Sequence, residues 1–510
     1  MVEKRAEAPS EAQRDLYLPI QLHKELDLVP ATDLFFNKLL APSGSGRKAD
    51  NERMSFIQNP RKDLLPGSSA PEPSALPGFE SWGRYPQLPA QTIPLYWIGD
   101  FPPKLSPGMK MLPVGMGRSY GDVCLLQNGA LLRTPTLDRF ISFDPENGIL
   151  RCEAGVTLAS ILEFAVPRGW FLPVIPGTKH VTVGGAIAND IHGKNHHLAG
   201  TFGRFVRNLD LIRSDGGRIH AGPAENPDWY AATIGGMGLT GLIASAELQL
   251  RPIRSRNIRY QATKFVGIDE FLALSRACSG REYTVAWIDC VSQAWNFARG
   301  IFLAGDHAEE PGPLGPSGKS SLSLPFDLPA FALNRTTVGL FNAFYYNRQF
   351  GKQKHGAMDY ERFFFPLDSI LHWNRLYGKD GLLQFQCILP WAADQTALLR
   401  ILKAITASGL ASFLAVIKVF GDLPSPGTMS FPMPGITLAL DFPIRAGASF
   451  ELLDRLAEIT AEAGGRMYPA KDARMSAAHF QQFYPQWRRF AAYVDPAFSS
   501  SFWQRVTAGA

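Results

Sequence analysis

The sequence predicts an α+β fold in more than one domain, on three observations. From about residue 78 to 252 short β-rich runs alternate with glycine clusters, from 253 onward strands mix with longer amphipathic helices, and 510 residues exceed what one ordinary core serves. In the first region the β-rich runs are 109–114, 130–134, 149–154, 181–187, 209–214 and 242–250. One helix interrupts them at 158–165, where apolar residues recur every three to four positions. In the second region helices are expected at 268–277 and 396–407, and strands at 283–289, 382–389, 413–420 and 436–442. Residues 309–329 are rich in Pro, Gly and Ser, and a loop that long reads as a lid, a binding loop or disorder. Residues 1–77 read as a partly flexible N-terminal extension. They hold two linker-like stretches, 42–46 and 66–77, and one short helix at 33–40. Residues 467–510 have a polar and aromatic texture of their own.

Composition narrows the function classes. A net charge of +5 on scattered Lys and Arg excludes a dedicated nucleic-acid surface and fits an anionic small ligand or an anionic membrane surface. Five cysteines, an odd number with no CxxC pair, argue against a disulfide framework or structural zinc and place the chain in a reducing compartment, the cytoplasm. The first 17 residues hold no apolar signal core, and no apolar run reaches the length of a spanning helix, roughly 18 residues.

The segment Gly115-Met116-Gly117-Arg118-Ser119-Tyr120-Gly121-Asp122 follows a strand-like run. As a dinucleotide fingerprint it fails, because Tyr120 takes the third glycine position and no helix follows. As a GxSxG nucleophile elbow its letters match, but the strand-to-helix context is missing. An anion nest of glycine-freed backbone N–H groups, with Arg118 and Ser119 as added donors, is the third reading, and a plain tight turn the fourth. A second glycine-centred segment runs from Pro176 and Gly177 through Thr182, Val183, Gly184 and Gly185 to Asn189 and Asp190. Two such loops in one domain point to a diphosphate held between them. In Ile191-His192-Gly193-Lys194-Asn195-His196-His197 the HxxxH spacing imitates a zinc site. Gly193 stands where a metalloprotease needs Glu, so no metal is expected, and His192 and Lys194 are expected to bond a polar ligand. His196 and His197 read as satisfied core histidines. The 315–320 run imitates a P-loop but lacks its first glycine and a flanking strand.

The strands of the second region offer a cleaner constellation. A period of two puts Gln384 and Gln386 on one face of 382–389, and Thr437, Ala439 and Asp441 on one face of 436–442. Lys418 is the one charge in the apolar run 413–420. Neighbouring strands would join these faces into one polar patch; separate strands would leave each side chain facing water.

These residues resemble a known family. Gly115 to Asp122, the run from Val181 to His197, Gly235-Gly236-Met237-Gly238-Leu239-Thr240-Gly241, Trp373 to Gly378 and Tyr468 to Arg474 are similar to the decaprenylphosphoryl-β-D-ribose 2-oxidase family, flavoproteins of the vanillyl-alcohol-oxidase type. The resemblance covers the chain from about residue 78 to near its end. It implies a two-part FAD-binding domain, 78–252 completed by 466–510, with an α+β substrate domain, 253–465, inserted between the parts. It implies non-covalent FAD held by Gly115 to Asp122, Gly177, Thr182, Val183, Gly184, Gly185, Asn189, Ile191, His192 and Tyr468. The flavin face would be shared by Tyr120, His192, Lys194, Gln386, Lys418 and Lys471, with Gln384 and Thr437 beside the substrate.

The family oxidises the ribose C2 hydroxyl of a polyprenyl-phosphate-linked sugar. A short-chain-dehydrogenase reductase partner then completes epimerisation to the arabinose form, and a lipid-linked substrate is compatible with a peripheral place at the inner face of the cell membrane. Ala439 stands where mycobacterial members carry Cys, Thr437 where they carry Asn, and Ser500-Ser501-Phe502 lacks an expected Asp, so substrate and thiol-directed inhibition are where this chain departs. Lys471 is the first candidate for the base or for stabilising the developing alkoxide, with Tyr120 and His192 as catalytic neighbours. An oxidase of a soluble sugar, alditol or aldonolactone, and a flavin-binding subunit without turnover, are the alternatives.

Overall fold

The structure, a computed structural model, describes residues 79–509 apart from 293–295, 316–321 and 446. The expectations for residues 1–77, and the core of the P-loop imitation, lie outside these. The described residues all fall in one compact unit.

The first half carries two main sheets, besides a two-stranded pairing of Trp170–Phe171 with Arg251–Pro252. Strands β1 (Gln91–Pro94), β2 (Met111–Val114) and β3 (Ala130–Arg133) pair in parallel in the order β1-β3-β2. Strands β4 (Phe140–Asp144), β5 (Ile149–Glu153), β6 (Val206–Ile212), β7 (Arg218–Ala221) and β8 (Leu242–Gln249) form an antiparallel sheet ordered β4-β5-β8-β6-β7. Helix α1 (Leu158–Ala165) begins at Thr157, whose hydroxyl accepts from Ser160 N, and buries Leu158, Ile161, Leu162 and Ala165, a 3.6-residue stripe.

The second half is built on one eight-stranded antiparallel sheet. Its strands are β9 (Asn257–Phe265), β10 (Tyr283–Ile288), β11 (Gly300–His307), β12 (Gln353–Asp359), β13 (Leu382–Pro390), β14 (Ala415–Phe420), β15 (Gly435–Pro443) and β16 (Arg466–Met467), ordered β12-β9-β11-β10-β14-β15-β13-β16. Helices α2 (Val183–Ala188) and α3 (Pro227–Thr233) belong to the first half. The second half carries α4 (Ile268–Ala277), α5 (Arg335–Asn347), α6 (Asp394–Ser408) and α7 (Ala448–Glu462). Leu383, Phe385, Cys387 and Leu389 of β13 share one core with Leu398, Ile401 and Leu402 of α6 and Leu452, Leu453 and Leu456 of α7.

The β-rich run at 181–187 is corrected: most of it is α2. Thr182 Oγ1 accepts from Gly185 N at 3.1 Å, and that cap turns a β-branched entry into helix despite two glycines. Sequence reading also passed over α3, α5, α7, β9, β11 and β12. The chain end returns to the first half. Met111 N donates to Ala497 O, and Arg505 of helix α8 (Ser501–Thr507) binds both carboxylate oxygens of Asp122, at 2.9 and 2.8 Å.

Candidate active site

Strand β2 delivers the 115–122 loop into a crowded junction. A Cβ on Gly115 would stand 2.4 Å from Thr182 Oγ1, and one on Gly121 1.9 Å from Asp472 O, so the two glycine segments and the 468–474 turn touch here. Gly117 sits at φ +64°, a conformation that favours glycine. Tyr120 N donates to Ala470 O at 3.0 Å, and Ser119 O accepts from Trp82 N. Arg118 lies over the Trp82 ring at 4.1 Å, and its Nε is buried without a partner among the described residues. Two expected cofactor contacts differ in kind. Met116 is exposed, and Asp122 has its carboxylate occupied by Arg505, as an anchor of the chain end.

The second segment supplies an imidazole and a wall. Asn189 Nδ2 donates to Gly185 O and its own carbonyl accepts from Tyr468 Oη at 2.7 Å, which ties the 468–474 turn to the end of α2. The Gly235–Gly241 loop closes that end, through Gly235 N to Ile187 O and Met237 N to Ala188 O. Ile191 and Val183 are core residues, and Gly177 stands in the open with nothing within 4 Å of a would-be Cβ. His192 is buried among Phe420, Phe431 and Tyr468, and its Nε2 meets Gln386 Nε2 at 2.9 Å. With Gln386 donating, the ring proton sits on Nδ1, a buried donor with no partner among the described residues.

Lys194 is anchored within the protein. Its Nζ donates to the carbonyls of Phe363 and Phe364 at 2.6 and 3.1 Å, which commits two of its three N–H donors within the protein. His197 is satisfied by Arg281 O, but His196 is not satisfied as expected. It stacks on Phe420 at 4.1 Å with both ring nitrogens unpartnered among the described residues.

The strands carrying the polar residues are neighbours. Register pairs Gln384 with Asp441, Gln386 with Ala439, and Lys418 with Thr437, so all share one sheet face. Gln384, Gln386, Thr437 and Asp441 are buried on that face, which excludes the reading that each faces water. Gln386 Nε2 lies 3.2 Å from Thr437 Oγ1, and Gln384 Nε2 donates to Asp441 Oδ1. Strand β16 pairs with β13 and leads into the turn carrying Lys471, whose Nζ lies 4.0 Å over the Tyr120 ring.

Burial and mutual repulsion tune the charges. Burial followed by Lys418 lowers Lys194 to about 7, and burial alone lowers Lys418 to about 8. Lys471 is lowered to about 8 by burial, held up by Asp441 and pushed down by Lys418. Burial raises Asp441 well above the usual carboxylate range, against Gln384 and Lys471. His192 is driven down by burial, then by Lys418, His196 and Lys471, and stays neutral. Tyr120 is held protonated by burial and then by Asp441.

Asp441, His196 and Tyr377 lie in this region although the sequence reading gave none of them a role: Asp441 was placed on the polar face, His196 was read as a core histidine, and Tyr377 stood only inside the Trp373 to Gly378 match. Asp441 was legible as a face-mate of Thr437. Tyr377 ends the Trp373–Tyr377 turn with its hydroxyl unpartnered among the described residues, and burial followed by Asp441 keeps it protonated. Unpartnered atoms on Arg118, His192, His196, Tyr377, Gln384 and Asp441 within one region are more than a settled core leaves. Together with the glycine cradle they fit a large polar ligand such as FAD. Among the described residues, no group of three or more metal-ligating side chains is present.

Comparison with known proteins agrees with this geometry. A family model described as an FAD binding domain matches residues 106–222. The decaprenylphosphoryl-β-D-ribose oxidase of Mycolicibacterium smegmatis is 36% identical over 415 residues, 78% of this chain and 89% of the relative. An uncharacterized protein of Streptomyces coelicolor is 31% identical across 69% of this chain and 100% of its own length. The alditol oxidase of a Streptomyces species is 26% identical over 24% of this chain and 29% of that enzyme. The chain belongs to the decaprenylphosphoryl-β-D-ribose oxidase family and is an FAD-dependent oxidoreductase with an α+β fold.

Proposed function

We propose that the protein oxidises the C2 hydroxyl of a polyprenyl-phosphoryl-β-D-ribose to the 2-keto sugar, using non-covalently held FAD. A short-chain-dehydrogenase reductase completes the change to the arabinose form used in glycan assembly. The observation that carries this reading is the buried polar face of β13, β14 and β15 lying against Tyr120, His192 and Lys471. The extent of the likeness to the mycobacterial oxidase supports it over the alditol oxidase, 78% of the chain against 24%. The domain reading places FAD on 78–252 and 466–510 and the substrate on 253–465.

When bound, FAD supplies the hydride acceptor. The residues of the chain do the rest. Lys471 takes the hydroxyl proton as the carbinol hydrogen leaves, and Asp441 sets the affinity of that amine for the proton. Gln386 and Thr437 orient the sugar, His192 offers its Nδ1 proton to the cofactor, and Lys418 receives the substrate phosphate. Lys194, bound to the Phe363 and Phe364 carbonyls, holds the aromatic wall and adds positive charge. No helix among the described residues is long and apolar enough to cross a membrane, and a peripheral place at the inner face of the cell membrane fits a lipid-linked substrate.

The test is single-turnover bleaching of the oxidised flavin, with mass spectrometry of the product. Polyprenyl-phosphoryl ribose is expected to reduce the flavin and lose two hydrogens. Reduction by free ribose or an alditol at an equal rate would favour the soluble-sugar reading, and no reduction by any of them the non-catalytic one.

A further inference from the structure

Helix α5 (Arg335–Asn347) is apolar on two faces, and the protein covers one of them. On the inner face Val338 and Asn342 are buried, Asn342 Nδ2 donates to Asp289 Oδ1 at 2.8 Å, Tyr345 packs on Trp287 and Phe341 on Phe413. On the outer face Leu340 and Phe344, one turn apart, are 69% and 49% exposed. Phe331 before the helix is 76% exposed, and Phe350 after it 96%. Four large apolar side chains bared along one helix and its two ends are an interaction surface, since a helix apolar on both faces is normally covered on both.

Charge says what covers it. Between Asp327 and Asp359 the chain has no acidic residue, but carries Arg335, Arg348, Lys352 and Lys354. Arg335 is spent on Thr406 O and Lys352 on Glu270, while Arg348 and Lys354 have no carboxylate partner among the described residues. Bared Phe and Leu flanked by unpaired cations match the headgroup boundary of an anionic bilayer. Position agrees. Phe341 packs on Phe413, and Phe413 stacks on Tyr377 of the candidate site at 5.8 Å, so α5 stands one aromatic layer from the chemistry.

We propose that the outer face of α5, with Phe331 and Phe350, docks on an anionic phospholipid surface, so that a lipid-linked substrate reaches the site without leaving the bilayer. The need for docking rests on the lipid-linked reading of the substrate; the surface itself does not. The experiment is cosedimentation of the full-length flavoprotein with vesicles of phosphatidylcholine alone or mixed with phosphatidylglycerol, comparing wild type with Leu340→Glu/Phe344→Glu and with Phe350→Glu. Wild type is expected to partition onto the anionic vesicles and much less onto the neutral ones. The double variant should bind at least tenfold more weakly, with flavin content and thermal midpoint unchanged. Reduction of the flavin by a short-prenyl, water-soluble substrate should stay at the wild-type rate in both variants, which tests the proposed chemistry separately. Equal vesicle binding by wild type and both variants overturns the proposal, as does the absence of binding by wild type. A wild-type dimer that Leu340→Glu/Phe344→Glu splits also overturns it, by assigning the face to a second copy of the chain.

Discussion

Replacing Asp441 by Asn tests the proton chemistry at its most sensitive point. The substitution keeps the shape and a contact for Gln384 but removes the one carboxylate that holds a proton on Lys471. In the wild type Lys471 is lowered to about 8, so about a tenth of it is neutral and able to accept a proton at pH 7. Flavin reduction should therefore rise about tenfold from pH 7 to the alkaline plateau. The sign for the variant follows from the cause. An anion beside an amine raises its pKa, and losing a close one lowers it by about 1 unit or more. The rising limb should move to lower pH, and the plateau should fall because the weaker base accepts a proton less readily. Lys418→Ala should do the opposite, since Lys418 pushes Lys471 down, and its removal should carry the limb to higher pH. The assay is stopped-flow reduction at saturating substrate between roughly pH 6 and 9, with flavin content checked for each variant. A limb that stays in place in both variants, or moves the same way in both, would refute Lys471 as the titrating base.

Other outcomes follow. Acid precipitation should release FAD into the supernatant; flavin left on the peptide would show covalent attachment. Gly185→Val should lose FAD, because apart from Thr182 Oγ1 at 3.1 Å its Cβ points into open space, whereas Gly117→Ala should lower the thermal midpoint through its left-handed φ and a 2.9 Å approach to Glu80 O. Stoichiometric flavin in Gly185→Val would remove that turn from the cradle. Arg505→Ala leaves Asp472 and Asp122 buried and unpaired, and should cost about 3–5 kcal/mol in urea unfolding. A loss well under about 1 kcal/mol would mean the chain end is not held by this pair.

How much of this was legible depended on whether the determining contact was local. Helices at 158–165 and 268–277 have bounds set by their own apolar stripes, and the structure ends them at the same residues. Strand β12, whose sequence Gln-Lys-His-Gly-Ala-Met-Asp has no apolar stripe, is a strand because it lies at a sheet edge and pairs with β9. No local pattern announces that. The run around Val183 carries β-branched residues, and one hydroxyl, that of Thr182, tips it into helix. At the site, the period of two placed Gln384, Gln386, Thr437 and Asp441 on faces, but only the register of β13, β14 and β15 joins the faces. Lys194 shows the converse. Its motif was plain, yet its ammonium bonds to carbonyls from residues about 170 positions away, a partner that spacing in the motif does not encode.

The electrostatics of the site bear on the choice between a phosphorylated and a neutral sugar. Of the three lysines Lys194, Lys418 and Lys471, Lys418 repels the other two, and Asp441 is the carboxylate that faces Lys471. Burial pushes all three down toward neutrality, and the charge of Lys418 pushes Lys194 and Lys471 down further until a counter-ion arrives. Both imidazoles, His192 and His196, are likewise driven to the neutral form, by burial first and by Lys418 next. Lys194 is eased by two carbonyls, and Lys471 by Asp441 and the face of Tyr120. Lys418 rests near the ring of Phe420 and has no carboxylate partner among the described residues. A neutral alditol entering this site would leave that imbalance in place. A phosphate beside Lys418 would offset it, restore the full ammonium charge there and, by lowering the repulsion on Lys471, leave the proposed base freer to hold the proton it takes. The same residue that favours an anionic substrate would thus set the strength of the base that acts on it.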